Sequence, residues 1–80
     1  MYVIYGSYNC GYCSHAKSLL MERGLDYKYV DLTEIEECDQ ESLMKIAGVR
    51  FRTVPQIFTQ EESKMVYVGG FNELRESLNG

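Results

Sequence analysis

The 80-residue chain has no basic stripe, no long apolar run, and no internal repeat or low-complexity tract. Each shortage excludes something. Eight Lys and Arg stand against twelve Asp and Glu, a net charge of -4. Nothing is available to neutralise a row of phosphates, so nucleic acid is not an expected partner. Lys17, Arg23, Lys45, Arg50 and Arg52 are either a local basic rim or scattered solubilising charge. The opening "MYVIYGS" has no basic region followed by an apolar stretch. No signal peptide, membrane span or membrane partner is therefore expected, and a cytoplasmic location is the default. Three cysteines, an odd count, argue against a disulfide scaffold. The length suits one domain over residues 1–80, with a modest core and a small surplus over chain entropy. A hydrophobic fraction of 45% is ordinary for such a domain.

Hydrophobic patterning divides the chain into seven elements. Met1–Tyr5 is β-branched and aromatic and reads as a central strand covered on both faces. Gly6–Asn9 forms a loop. A helix starts at Cys10 or just after it, with Ala16 and Leu20 on one face and Gly24 as a left-handed cap. Tyr27–Asp31 is a second strand. Tyr27, Tyr29 and Asp31 point one way, and Lys28 and Val30 the other. Leu32–Glu37 is an acidic, polar connection, and Cys38 is read as lying in it. Glu41–Ala47 is a short helix with Leu43, Ile46 and Ala47 inward and Gly48 as terminator. Val54–Thr59 and Met65–Val68 form a hairpin across a Gln60–Lys64 turn. Gly69-Gly70 breaks the chain, and Phe71, Leu74 and Leu78 mark a last short helix.

The order β-α-β-α-β-β-α gives an α/β architecture. The first β-α-β passage needs a right-handed crossover and hence a parallel pair. The hairpin adds an antiparallel edge. One four-stranded mixed sheet flanked by three helices buries these stripes.

The chemistry concentrates in "NCGYC". Cys10 and Cys13 lie three apart at a strand-to-helix junction, so helical spacing brings both sulfurs to one face. A disulfide between them closes too short a loop to stabilise much. The unpaired amides and dipole of a helix N-terminus favour a thiolate. Cys10, nearer that end, is the expected attacking group. Cys13, one turn inside, is the buried thiol that resolves a mixed disulfide formed at Cys10. Tyr12 either places an aromatic wall beside the sulfurs or is an ordinary exposed aromatic. A zinc site would need Cys38 and His15, whose spacing fits no compact zinc pattern. No metal ligand is expected. His15 reads as a solvent-facing helix residue, and Cys38 as a passive thiol.

"CGYC", "TVPQIF" and "VGGFNEL", in this order, resemble the glutaredoxin family of the thioredoxin-like superfamily. The resemblance covers nearly the whole chain. It implies a thioredoxin-like fold, and a dithiol enzyme that reduces protein disulfides and glutathione mixed disulfides through Cys10 and Cys13. Glutathione then serves as reducing co-substrate, with no permanently bound cofactor. The implied glutathione contacts are Tyr12, Arg52, Thr53, Val54, Pro55, Gly69, Gly70, Phe71 and Asn72. Pro55 is implied to be cis, with the Val54 backbone pairing with the cysteine part of glutathione. The γ-glutamyl end falls to the glycine turn and the start of the last helix. The implied partners are glutathione and protein disulfides, ribonucleotide reductase among the candidates, met by a monomer.

The sequence departs from the pattern at three places, Ser7, Gly11 and Asn72, the last standing where many relatives carry an acidic residue. Ser7 stands where the family often carries a base, and Arg52 or Arg50 is the candidate replacement charge. The motif "CGYC" lacks the proline that dithiol glutaredoxins commonly carry at the Gly11 position. Two alternatives follow. One is a glutaredoxin-shaped electron donor reduced by thioredoxin reductase, consistent with Ser7 and with an uncharged Asn72. The other is a carrier of a glutathione-ligated iron-sulfur cluster held by Cys10 between two subunits.

Overall fold

Residues 1–7 and 10–79 are described by a computed structural model. The sheet has the strand order β2-β1-β3-β4. Its strands are β1 (Tyr2–Gly6), β2 (Tyr27–Asp31), β3 (Gln56–Glu61) and β4 (Lys64–Gly69). β1 is central, parallel to β2 and antiparallel to β3. β3 and β4 form the antiparallel hairpin. The helices are α1 (Gly11–Glu22), α2 (Glu37–Ala47) and α3 (Phe71–Asn79). This is the expected four-stranded mixed sheet with three helices.

Strand alternation builds two cores. Ile4 pairs with Ile57 and, with Ala16 and Leu20 of α1 and Leu74 of α3, forms a fully buried cluster. On the opposite face, Val3 pairs with Phe58, and the Phe58 ring meets Tyr5, Phe51 and Tyr67. Leu43 of α2 is buried and lines a cavity with Tyr5 and Val30 on that side. Covering both faces explains the near-continuous apolar run of β1.

Helix ends follow the chemistry of their residues. Gly24 has φ 68°, its amide bonds to the Met21 carbonyl, and the Leu25 amide bonds to the Leu20 carbonyl. That is a Schellman closure, which needs a residue free to take positive φ. Gly48 caps α2 at φ 75°, its amide on the Met44 carbonyl.

Several boundaries differ from expectation. α2 begins at Glu37 rather than Glu41, so Cys38 lies in its first turn and not in a connection. Glu37 and Asp39 sit at the positive end of the helix dipole and favour the longer helix. The acidic connection contains a 3-10 turn, Leu32–Glu34, where the Asp31 carboxylate accepts from the Thr33 amide at 2.8 Å. Ile46 is 49% exposed, on the rim of α2 rather than inward. The hairpin turn is tighter than expected, with Glu61 opposite Lys64. β3 starts two residues later than expected, because the chain passes Val54 and a cis Pro55 before entering the ladder. In the expected Gly6–Asn9 loop, Gly6 instead closes β1, while Tyr8 and Asn9 lie outside the described residues.

Candidate active site

Cys10 is the N-cap of α1, in extended conformation, and its sulfur accepts the Cys13 amide at 3.2 Å. An N-cap side chain normally supplies an oxygen to this amide. Here a sulfur takes that place, so partial positive charge is delivered where a thiolate needs it. The Cys10 sulfur also lies 3.8 Å from the Val54 carbonyl, which links it to the loop ahead of Pro55.

Cys13 stands one turn further in and is 2% exposed. Burial pushes its thiol up to about 11, and the neighbouring Cys10 sulfur adds to the rise. The Ser7 amide and the Tyr29 hydroxyl oppose it. Cys10, by contrast, is partly exposed. One sulfur is accessible and the other is sheltered and protonated at neutral pH. Both are free thiols in this structure.

Gly6 makes this packing attainable. A Cβ built there would lie 2.6 Å from the Cys13 sulfur and 2.7 Å from the Tyr29 hydroxyl. Strand alternation puts Gly6 on the α1 face with Tyr2 and Ile4, directly beneath the first turn of that helix. The sequence treats Gly6 as a loop former. Its place at the end of an alternating strand was the available signal for a close approach.

Two open cavities flank the cysteines. One, of about 360 Å³, is lined by Tyr12, Thr53, Val54, Pro55, Gly70, Phe71, Asn72 and Glu73. Seven of the nine expected glutathione contacts thus share a groove with Glu73. Arg52 and Gly69 do not line it. Arg52 is exposed, whereas Gly69 is buried at φ 131°. The β3–β4 register shifts between Ile57 and Phe58, leaving Val68 without a partner opposite. Such a bulge re-aims the chain just ahead of the glycine turn.

Glu73 turns back, its carboxylate accepting the Gly70 amide at 2.8 Å. This is one half of a capping box for α3. The other half is missing, because Gly70 has no side chain to accept from the Asn72 or Glu73 amides. The groove therefore ends at helix amides suited to a carboxylate. Tyr12 is 62% exposed, with its ring 6.1 Å from Phe71 and 6.0 Å from His15. His15 thus joins an aromatic rim at the groove mouth. Arg50 pairs with Glu41 at 3.5 Å on the far surface.

The second cavity, about 320 Å³, lies on the other side of the cysteines, between Ser7, Cys10, Cys13, Lys17, Tyr29 and Asp31. Among the described residues its cation is Lys17, 4.4 Å from the centre of the Tyr29 ring. Gln56, buried directly after Pro55, was also not singled out by the sequence. Its amide donates to the Thr53 carbonyl at 2.9 Å, and its oxygen accepts from Tyr67 at 2.6 Å. No group of three or more His, Cys, Asp or Glu positioned to hold a metal occurs among the described residues. No helix among them is long and apolar enough to cross a membrane.

Comparison with known proteins agrees with this geometry. The family model for glutaredoxin matches residues 2–64. Glutaredoxin 1 of Rickettsia felis is 33% identical over 72 residues, covering 90% of this chain and 66% of the relative. Glutaredoxin 1 of Escherichia coli is 34% identical over 76 residues, covering 89% of this chain and 84% of the relative. The chain spans less than half of rat mitochondrial glutaredoxin-2, at 41% of its length. The crystal structure of a buckwheat glutaredoxin–glutathione complex superposes with a TM-score of 0.73 at 29% identity. It covers 98% of this chain and 67% of the buckwheat chain.

Proposed function

This chain belongs to the glutaredoxin family, and from that premise we propose that it is a glutathione-dependent thiol-disulfide oxidoreductase acting through Cys10 and Cys13. The observation that carries the reading is the division between the two sulfurs. Cys10 is accessible and accepts a helix amide, while Cys13 is buried one turn behind it.

In the first step the Cys10 thiolate attacks a substrate disulfide. A Cys10–substrate mixed disulfide forms and the other sulfur leaves as a thiolate, which takes up a proton. For a protein disulfide, Cys13 loses its proton and attacks the Cys10 sulfur. The Cys10–Cys13 disulfide forms, and the reduced substrate departs. The pair has then lost two electrons to the substrate. Two glutathione thiols restore it, one by forming a mixed disulfide at Cys10 and the second by releasing oxidised glutathione. A glutathionylated substrate needs only Cys10, because the mixed disulfide it leaves is opened by free glutathione.

The groove that ends at Gly70 suits glutathione along its length. Its cysteine part lies against the Val54 backbone beside Cys10, in a short strand-like pairing. Its γ-glutamyl carboxylate reaches the Asn72 and Glu73 amides at the start of α3. Thr53, Pro55, Gly70 and Phe71 form the walls, with Tyr12 at the mouth. Gly69 serves by aiming the turn. Arg52 meets the glycine carboxylate from the exposed loop. Protein disulfides are the wider substrate class, with ribonucleotide reductase one candidate, and the chain works as a cytoplasmic monomer.

Single-cysteine variants test the division of labour. Cys10→Ser abolishes turnover of both a glutathionylated thiol and a protein disulfide. Cys13→Ser loses the second reaction and keeps most of the first. Equal loss in both assays for Cys13→Ser would contradict the assigned roles.

A further inference from the structure

We propose that the Tyr29 hydroxyl is a side-chain hydrogen-bond donor that positions and holds the Cys13 thiolate during the resolving step. The inference rests on the reading of Cys10 and Cys13 as an exchanging pair, and adds a residue outside the glutathione groove.

Three observations place Tyr29 there. The Cys13 sulfur and the Tyr29 hydroxyl converge over the same point above Gly6, 2.6 and 2.7 Å from where its Cβ would stand. The Tyr29 hydroxyl donates to the Ser7 carbonyl at 3.0 Å. Lys17 lies over the Tyr29 ring at 4.4 Å, a cation–π contact that holds the ring in place.

A phenol has one proton to give. While Cys13 is a thiol, that proton rests on the Ser7 carbonyl. Once Cys13 is ionised, a buried anion lies beside a hydroxyl that needs only to rotate. Cys13 is 2% exposed and meets water only on its cavity side, so protein donors, the Ser7 amide and the Tyr29 hydroxyl, carry most of this stabilisation. An unmet donor requirement at a buried charge costs far more than one at the surface. The titrations agree in direction: burial and the Cys13 sulfur raise the Tyr29 phenol to about 12, so it remains a donor throughout. The groups facing this pair are Cys10 and Lys17 of the helix and Asp31 at the end of β2. Lys17 favours the thiolate and Asp31 opposes it.

The step balances without further reagents. Cys13 releases its proton to solvent through the cavity shared with Ser7 and Asp31. Its thiolate attacks the Cys10 sulfur, the Cys10–Cys13 bond forms, and the Cys10–substrate bond breaks. The substrate sulfur leaves with the electron pair and is protonated. Tyr29 transfers no proton; it donates a hydrogen bond until the sulfur's charge is spent.

Tyr29→Phe removes the donor and keeps the ring. Turnover of a small glutathionylated thiol, which uses Cys10 alone, should stay within about twofold. Reduction of a protein disulfide should fall about tenfold, the effect of one lost charge-assisted hydrogen bond. Its pH–rate profile should rise at higher pH, and the Cys10 mixed disulfide should accumulate by mass spectrometry. Wild-type rate and pH profile in the protein-disulfide assay would overturn the inference. So would an equal fall in both assays, which marks a purely structural residue. Cys13→Ser is run alongside. If it reduces protein disulfides normally, there is no resolving step, and the two-thiol reading fails together with the role of Tyr29. If it fails while Tyr29→Phe succeeds, only the role of Tyr29 is lost.

Discussion

Cys13 is the residue at which packing and chemistry compete. The sequence placed it correctly one turn inside a helix, because a spacing of three is short enough to read locally. What surrounds it was not legible. Tyr29 lies sixteen positions away and reaches Cys13 only because β2 runs parallel to β1 with Tyr29 opposite Ile4. The sign of its effect on stability can be worked out. In the unfolded chain the thiol titrates near 9.0; in the fold it is held up to about 11. Between those values the folded state keeps more protons than the unfolded one. The stability that comes from the neutral thiol is therefore complete below about pH 9 and is lost as pH rises towards 11. Urea unfolding of the reduced protein across that window should show wild type weakening more steeply than Cys13→Ala. Parallel slopes would contradict the buried, protonated Cys13.

At the scale of elements, ends were harder to read than middles. Leu43 and Ala16 were legible from spacing, whereas the start of α2 was not. Glu37 and Asp39 looked like a solvated acidic loop, and only their place at a helix N-terminus gives them a use. β3 shows the same limit. Val54–Pro55 reads as strand by residue type, but the ladder begins at Gln56. Gln56 then links three segments: Tyr67 on β4 donates to its oxygen, and its amide holds the Thr53 carbonyl of the groove wall. Tyr67→Phe leaves that buried oxygen without a donor, a loss of about 1–3 kcal/mol. The melting temperature should fall by roughly 4–24 °C for a domain of this size. The KM for glutathione should rise a few-fold with kcat nearly kept, as the groove wall loosens while the cysteines do not. An unchanged melting temperature and KM would show that the link carries no load. Scanning calorimetry and steady-state kinetics decide it.

At the scale of the molecule, the order of elements was legible because each apolar stripe has one economical way to be covered. A β-α-β passage and a hairpin leave β1 central, and the two faces of β1 call for helices on both sides. Ile4 and Val3, adjacent in sequence, enter opposite cores for that reason. The site sits where this arrangement must place it, at the end of β1, where α1, the turn before β3 and the glycine turn after β4 meet. Segments remote in the sequence are assembled there: Cys10 and Val54 are 44 residues apart. The pair was legible, and the groove was legible only through resemblance. Thr53, Val54 and Phe71 carry no group that titrates near neutral pH, so residue type alone did not mark them. Glu73 shows what resemblance leaves out, since its exposed carboxylate turns onto the Gly70 amide.

The central claim is that this geometry uses glutathione as its reductant. It is tested most directly by NADPH-coupled reduction of a glutathionylated thiol, with glutathione and glutathione reductase in one reaction and thioredoxin reductase in another. The account predicts rapid turnover with the glutathione system, none with thioredoxin reductase alone, and none in either with Cys10→Ser. Turnover sustained only by thioredoxin reductase would contradict it, and would mean that the groove between Val54 and Asn72 does not serve glutathione.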